Sequence, residues 1–179
     1  MKIYTRGGDN ARTSLFTGER VSKEEARIEA LGSLDELVAA LGLAKVAEAA
    51  PATLRAELEG LQTALYLVMA DIAGEPGGAG RLPTDAVADM EALIDRLDAD
   101  LPPLRDFVIP GMSPASAALH LARTVCRRAE RRVASVAGVH ALPASVAAYL
   151  NRMSDLLFTM ARWVDRAQGA DERTFKERL

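Results

Sequence analysis

The run from Leu119 to Arg132 keeps a helical period while carrying more charge than a helix buried on all sides tolerates. Ala118, Ala122, Val125, Ala129, Val133 and Val136 fall on one stripe of such a helix, and Arg123, Arg127 and Glu130 form a row beside it. The stripe demands a packed partner. The row has two readings, a solvated cationic edge or an edge facing something anionic, and spacing alone leaves both open.

The rest of the chain repeats the helical theme. With 179 residues there is enough chain for one domain with a substantial core, and 49% hydrophobic against 4% aromatic residues makes that core one of Ala, Leu and Val. A formal charge of -3 excludes nucleic-acid binding through a general basic field, so an anion site has to be local. Cys126 is the one cysteine, so an internal disulfide is excluded; on the apolar edge of the arginine helix it reads as a small buried hydrophobe. Met1 to Arg6 lacks the apolar stretch of a secretory signal, and nowhere do about 18 uncharged apolar residues run together. The expectation is a cytoplasmic protein with no membrane partner.

Residues 1–23 place Gly7, Gly8 and Gly18 among Thr, Ser, Asp and Asn with no sustained period, which predicts an ordered loop or extended arm. A first helix is expected from Lys23 to about Ala49, with Ser22 and Glu25 as a capping box. A second is expected from Ala52 to Ala73, and a third from a Thr84 cap to Pro102. Ser113-Pro114, an N-cap followed by proline at the first helical position, opens the fourth helix, which lasts to about Ala137. The fifth follows Pro143 and reaches roughly Gln168. Five long helices without a convincing strand predict an all-α five-helix bundle over residues 24–168, with a polar, frayed tail at 169–179.

Three segments carry possible chemistry. Thr5-Arg6-Gly7-Gly8-Asp9 with Thr13-Ser14 suits a backbone nest for phosphate oxygens, and suits an ordinary polar turn as well. A P-loop is excluded, because the Gly-x-x-x-x-Gly-Lys-Ser/Thr pattern does not occur. On the fifth helix Asn151, Ser154, Asp155 and Phe158 share one face, and an exposed Phe158 would gain nothing, which favours a site lining over a solvated face. Asp35 sits among leucines on the first helix and, if buried, needs a cation such as Arg123. His120 and His140 are too isolated for a zinc site, and no Glu-x-x-His pair supports a di-iron bundle.

Taken together these segments resemble the PduO-type corrinoid adenosyltransferases. The resemblance spans nearly the whole chain: the Thr5–Asp9 loop with Thr13-Ser14-Leu15, Gly18 to Lys23, Gly32 to Leu37, Phe107-Val108-Ile109-Pro110-Gly111, the arginine helix, and Tyr149 to Phe158. It implies transfer of the 5′-deoxyadenosyl group of ATP to the cobalt of cob(I)alamin or a related corrinoid, giving adenosylcobalamin and triphosphate. It also implies a homotrimer with sites between subunits, a reductase that supplies Co(I), and an adenosylcobalamin-dependent enzyme downstream. Two other readings stay open: a carrier delivering adenosylcobalamin without chemistry, and a degenerate non-catalytic paralogue.

Residue by residue, the resemblance assigns Thr5, Arg6, Gly7, Gly8, Thr13, Ser14 and Lys23 to the ATP phosphates. Arg127, Arg131 and Asn151 go to the nucleotide, and Glu130 to its Mg²⁺. Asp35 and Arg123 become an interacting pair on the corrinoid side with Ser154 nearby, and Phe107 and Phe158 an apolar wall beneath the corrin ring. Asp35, Arg123, Arg127 and Phe107 are the expected catalytic set. Ala11 stands where the family usually has glycine; if position 11 needs φ above zero, it should cost about 1 kcal/mol. Met112 and Val38-Ala39 are further departures from the family pattern.

Overall fold

The computed structural model describes residues 4, 6–47, 51–74, 80–138 and 140–175. Thr5, expected at the phosphates, lies outside the described residues.

The arm carries a small hairpin that the sequence reading did not contain. β1 (Arg12–Ser14) and β2 (Arg20–Ser22) pair antiparallel, Thr13 opposite Val21. Three-residue strands are too short for alternation to register as a pattern; only Leu15 and Val21 here are buried. The turn closes through Leu15 N–H to Glu19 C=O at 3.0 Å and Gly18 N–H to Leu15 C=O at 2.9 Å.

Five helices follow: α1 (Ala26–Val46), α2 (Ala52–Ile72), α3 (Ala86–Asp98), α4 (Pro114–Ala137) and α5 (Ala144–Ala167). Their packing runs α2–α1–α4–α5–α3, so α4 lies between α1 and α5. Its buried face is Ala118, Ala122, Cys126, Ala129, Val133 and Val136, the predicted stripe with Cys126 on it and Val125 half-buried at its rim. Small side chains on this face let Leu34, Leu37 and Leu41 of α1 and Leu150, Met153 and Leu157 of α5, all fully buried, close over it. No helix among the described residues is long and apolar enough to cross a membrane.

Local signals held where the side chains had no competing partner. Ser113 caps α4 reciprocally: its Oγ accepts from Ser116 N–H at 3.2 Å, and Ser116 Oγ accepts from Ser113 N–H at 3.2 Å. The box expected at Ser22 does not form. Its hydroxyl accepts instead from Glu24 N–H at 3.2 Å, a local turn that delays α1 until Ala26. Thr84 likewise caps nothing, and α3 begins at Ala86.

The tail departs most from expectation. Residues 173–175 are exposed or half-buried but tied down by backbone hydrogen bonds: Ile109 N–H donates to Arg173 C=O at 2.8 Å, Phe175 N–H to Phe107 C=O at 2.9 Å, and Val108 and Thr174 form an antiparallel bridge; 176–179 lie outside the described residues. Arg162 of α5, 5% exposed, secures this segment through Glu172.

Candidate functional site

The arm gathers cations around glycine backbone. The Lys23 ammonium lies over Gly8, so close that a Cβ added there would be 3.4 Å from Nζ. Arg20 reaches back across the hairpin to donate to Gly7 C=O at 2.8 Å and to Ser14 Oγ at 3.5 Å. Lys23 N–H donates to Ala11 C=O at 2.9 Å and ties the loop to the end of β2. Two non-glycine residues adopt left-handed backbone: Arg6 at φ 60° and Ala11 at φ 58°. The strain foreseen at Ala11 is therefore real, at a cost of about 1 kcal/mol for a residue bearing a Cβ. Thr13 is half-buried within β1; Arg6, Gly7, Ser14 and Lys23 are exposed.

The second group lies along the α4–α5 seam. Asn151 Nδ2 donates to Glu130 Oε1 at 3.1 Å, joining two residues expected at the nucleotide. Arg127 is exposed one turn earlier, and Arg131 is held to the helix by Nη1 donating to Arg127 C=O at 2.9 Å. One more turn toward the start of α4, the half-buried Arg123 guanidinium sits 5.9 Å from the centre of the Phe158 ring. Its Nε is buried without a hydrogen-bond partner. Burial, and then the nearby charge of Arg127, lower its pKa. This row is neither simply solvated nor simply core: a cation is held in a dry, aromatic setting with donor capacity to spare.

His120, considered from its spacing only as a metal ligand and rejected as one, packs edge-on against Phe158 with ring centres 5.9 Å apart. It is 4% exposed and its Nδ1 has no partner. Burial and then Arg123 lower its pKa, with Asp165 and Glu172 pulling the other way. Arg162 reaches the same ring at 5.9 Å. The missed signal is spacing: Phe158, Arg162 and Asp165 recur at offsets of four and three on an apolar helix.

Four further residues singled out in the sequence divide between exposed and buried positions, with Cys126 buried as expected. Asp35 is exposed and forms no ion pair with Arg123 among the described residues. The next residue, Glu36, pairs with Arg128, and Glu29 with Arg132 at 3.1 Å, so α1 and α4 are laced through the neighbouring positions. Ser154 is 2% exposed and its hydroxyl donates to Asn151 C=O at 2.9 Å, within its own helix; it lines no open surface. Phe107 is 83% exposed, and no ring contact joins it to Phe158 among the described residues. Cys126 is buried, with Sγ donating to Leu150 C=O at 3.3 Å; burial and then Glu130 push its pKa up to about 12, which leaves the thiol inert.

Comparisons with known proteins cover nearly the whole chain. Residues 3–164 match the family model described as cobalamin adenosyltransferase. A corrinoid adenosyltransferase of Citrobacter freundii is 43% identical over 165 residues, covering 90% of this chain and 93% of that protein. The corrinoid adenosyltransferase PduO of Salmonella typhimurium is 44% identical over 92% of this chain, which spans 50% of that longer protein. A solved structure of a single-residue variant of a PduO-type ATP:corrinoid adenosyltransferase from Lactobacillus reuteri, complexed with cobalamin and ATP, superposes with a TM-score of 0.92. It is 27% identical, covering 98% of this chain and 97% of that one. With the arm, the arginine row and all but the last residues of α5 within the matched region, the chain belongs to the cobalamin adenosyltransferase family.

Proposed function

We propose a division of labour by which this chain performs the ATP-dependent adenosyl transfer of its family. The arm and the Arg127–Glu130–Asn151 group bind the nucleotide; the Arg123–Phe158 edge and the exposed Phe107 bind the corrinoid. The observation that carries this reading is on α4. Successive turns present a dry aromatic-backed cation at Arg123, an exposed cation at Arg127, and a carboxylate oriented by Asn151 at Glu130.

The chemistry is displacement at C5′ of ATP. The electron pair of Co(I) forms the Co–C5′ bond, the C5′–O bond breaks, and its electrons leave with the triphosphate. Negative charge grows on that leaving group, so fixed cations at Arg127 and Lys23 act where the transition state needs them. No proton has to move, which suits a site without a general base. Phe107 and Phe158 supply apolar surface that keeps an axial ligand from the lower face of the cobalt and so makes the metal easier to reduce.

Glu130 is a single carboxylate with one oxygen engaged by Asn151, and among the described residues no three His, Cys, Asp or Glu gather as a metal cage. That donor set fits a Mg²⁺ ion arriving on ATP, which Glu130 would help to hold. When bound, the ion neutralises polyphosphate charge.

The two halves are completed between copies of the chain. Leu43, Val46 and Leu121 are exposed on α1 and α4, and Leu43 and Leu121 line a cavity of about 360 Å³ together with Ala47, Pro114, Ala117 and Ala118. Such a patch suits contact with a second copy, and a trimer brings the arm of one subunit to the α4 row of the next.

The test is direct. Protein, MgATP and chemically reduced cob(I)alamin should give a light-sensitive Co–C product spectrum with release of triphosphate. Tight binding of both substrates with no spectral change would support a carrier instead.

A further inference from the structure

We infer that Arg162 and Glu172 are positioning residues for the reaction: their ion pair pins the C-terminal segment, and the pinned segment holds the backbone that carries Phe107. The inference rests on the corrinoid-wall role given above to Phe107, but its first test does not.

Phe107 poses a mechanical problem. Its side chain is 83% exposed, so packing does not fix it, yet an aromatic wall is useful only if it stands still. Its position comes from the main chain of 107–109. That backbone is held from one side by residues 173–175, through Ile109 N–H to Arg173 C=O, Phe175 N–H to Phe107 C=O, and the Val108–Thr174 bridge.

The strap in turn needs an anchor, because an isolated bridge of one residue pair is marginal alone. Arg162 provides it. Its guanidinium is a two-point clamp on Glu172, Nε to Oε2 at 2.5 Å and Nη2 to Oε1 at 3.2 Å. The same Nη2 donates to Pro102 C=O at 2.7 Å, and Nη1 lies 3.6 Å from Asp98, at the foot of the loop that leads to Phe107. The side chain is 3% exposed, so the cation is committed to these partners and not to water. Arg162 also lies 5.9 Å from the Phe158 ring. One buried cation thus meets the ring of Phe158, the base of the Phe107 loop and the strap that ties that loop.

Glu172→Ala is the variant of choice, since truncating Arg162 would leave several buried acceptors unpaired and endanger the fold. Amide exchange at Ile109 and Phe175 should accelerate by roughly tenfold or more, with amides in the middle of α4 unchanged. With ATP and cob(II)alamin, the four-coordinate Co(II) signal should fall while ATP affinity stays at the wild-type value. In a Phe107→Ala background, Glu172→Ala should add nothing further to the loss of that signal. Unaltered protection of the Ile109 and Phe175 amides overturns the proposal, and so does an equal loss of signal from Glu172→Ala with and without Phe107. A wild-type protein that gives no Co(II) signal at all breaks the corrinoid reading, while the exchange measurement still decides the strap.

Discussion

The N-terminal arm and the α4–α5 seam both position cations, by opposite means. In the arm the scaffold is backbone: a three-residue hairpin, a strained Arg6 and Ala11, and arginine and lysine side chains laid over glycine carbonyl and Cα groups. Along the seam the scaffold is side chains on rigid helices, with Arg123 backed by Phe158 and His120, and Glu130 oriented by Asn151. The first is exposed and cheap to distort. The second is half-buried and set by the core, so losses there should fall on chemistry and losses in the arm on affinity.

The largest effect should come from Arg127→Ala. Removing this exposed cation, proposed to act on the leaving group, should lower turnover by about 100-fold or more while the helical circular dichroism and melting stay close to wild type. Wild-type turnover in this variant would remove the seam from the mechanism.

Phe107→Ala comes next and separates the corrinoid half from the nucleotide half. An 83% exposed ring contributes little to folding, so stability should change by less than about 0.5 kcal/mol. The four-coordinate Co(II) signal should be lost and ATP binding kept. An unchanged signal contradicts the wall.

Ala11→Gly tests the arm from the other direction, by relief. Glycine accepts φ 58° freely, so the variant should hold the folded arm up to about 1 kcal/mol more firmly, read as slower exchange of the Lys23 amide that donates to residue 11, with ATP affinity and kcat nearly unchanged. Faster exchange in the glycine variant would mean that the Ala11 methyl makes a contact worth more than its strain.

The smallest effect is a pH dependence confined to the seam. Burial and Arg123 hold the His120 pKa below its ordinary 6.5, so the unfolded chain takes up its proton first as pH falls. The folded state therefore loses stability progressively below about pH 6.5 through this group. The charges facing it are Arg123 on its own helix, Asp165 on α5 and Glu172 in the tail. The difference in urea midpoint between pH 7.5 and pH 5.5 should shrink in His120→Phe; an identical difference would assign the acid sensitivity to other groups.

Residue identity and local pattern made much of this legible. The α4 stripe, its Ser113 cap and start at Pro114, and the limits of α5 were readable because helical periodicity and proline act over a few residues. The hairpin escaped because two three-residue strands are held by a register that only the folded arm supplies. The exposure of Asp35 was hidden for a related reason. Its leucine neighbours suggested burial, but the rotation of α1 against α4 turns Asp35 outward and gives the ion pairs to Glu29 and Glu36.

The sequence by itself determined the helical class, the arginine row and, through its motifs, the family. These depend on covalent geometry, side-chain period and residue order, which exist before folding. The left-handed backbone at position 11 was settled only by the folded arm. Only the tertiary structure decided that His120 and Arg162 converge on Phe158, that Asn151 orients Glu130, and that the tail straps the Phe107 loop. Those partners are set by how five helices rotate and pack against one another. That rotation is fixed by the summed burial of many alanine, leucine and valine side chains, and no short stretch of sequence encodes it.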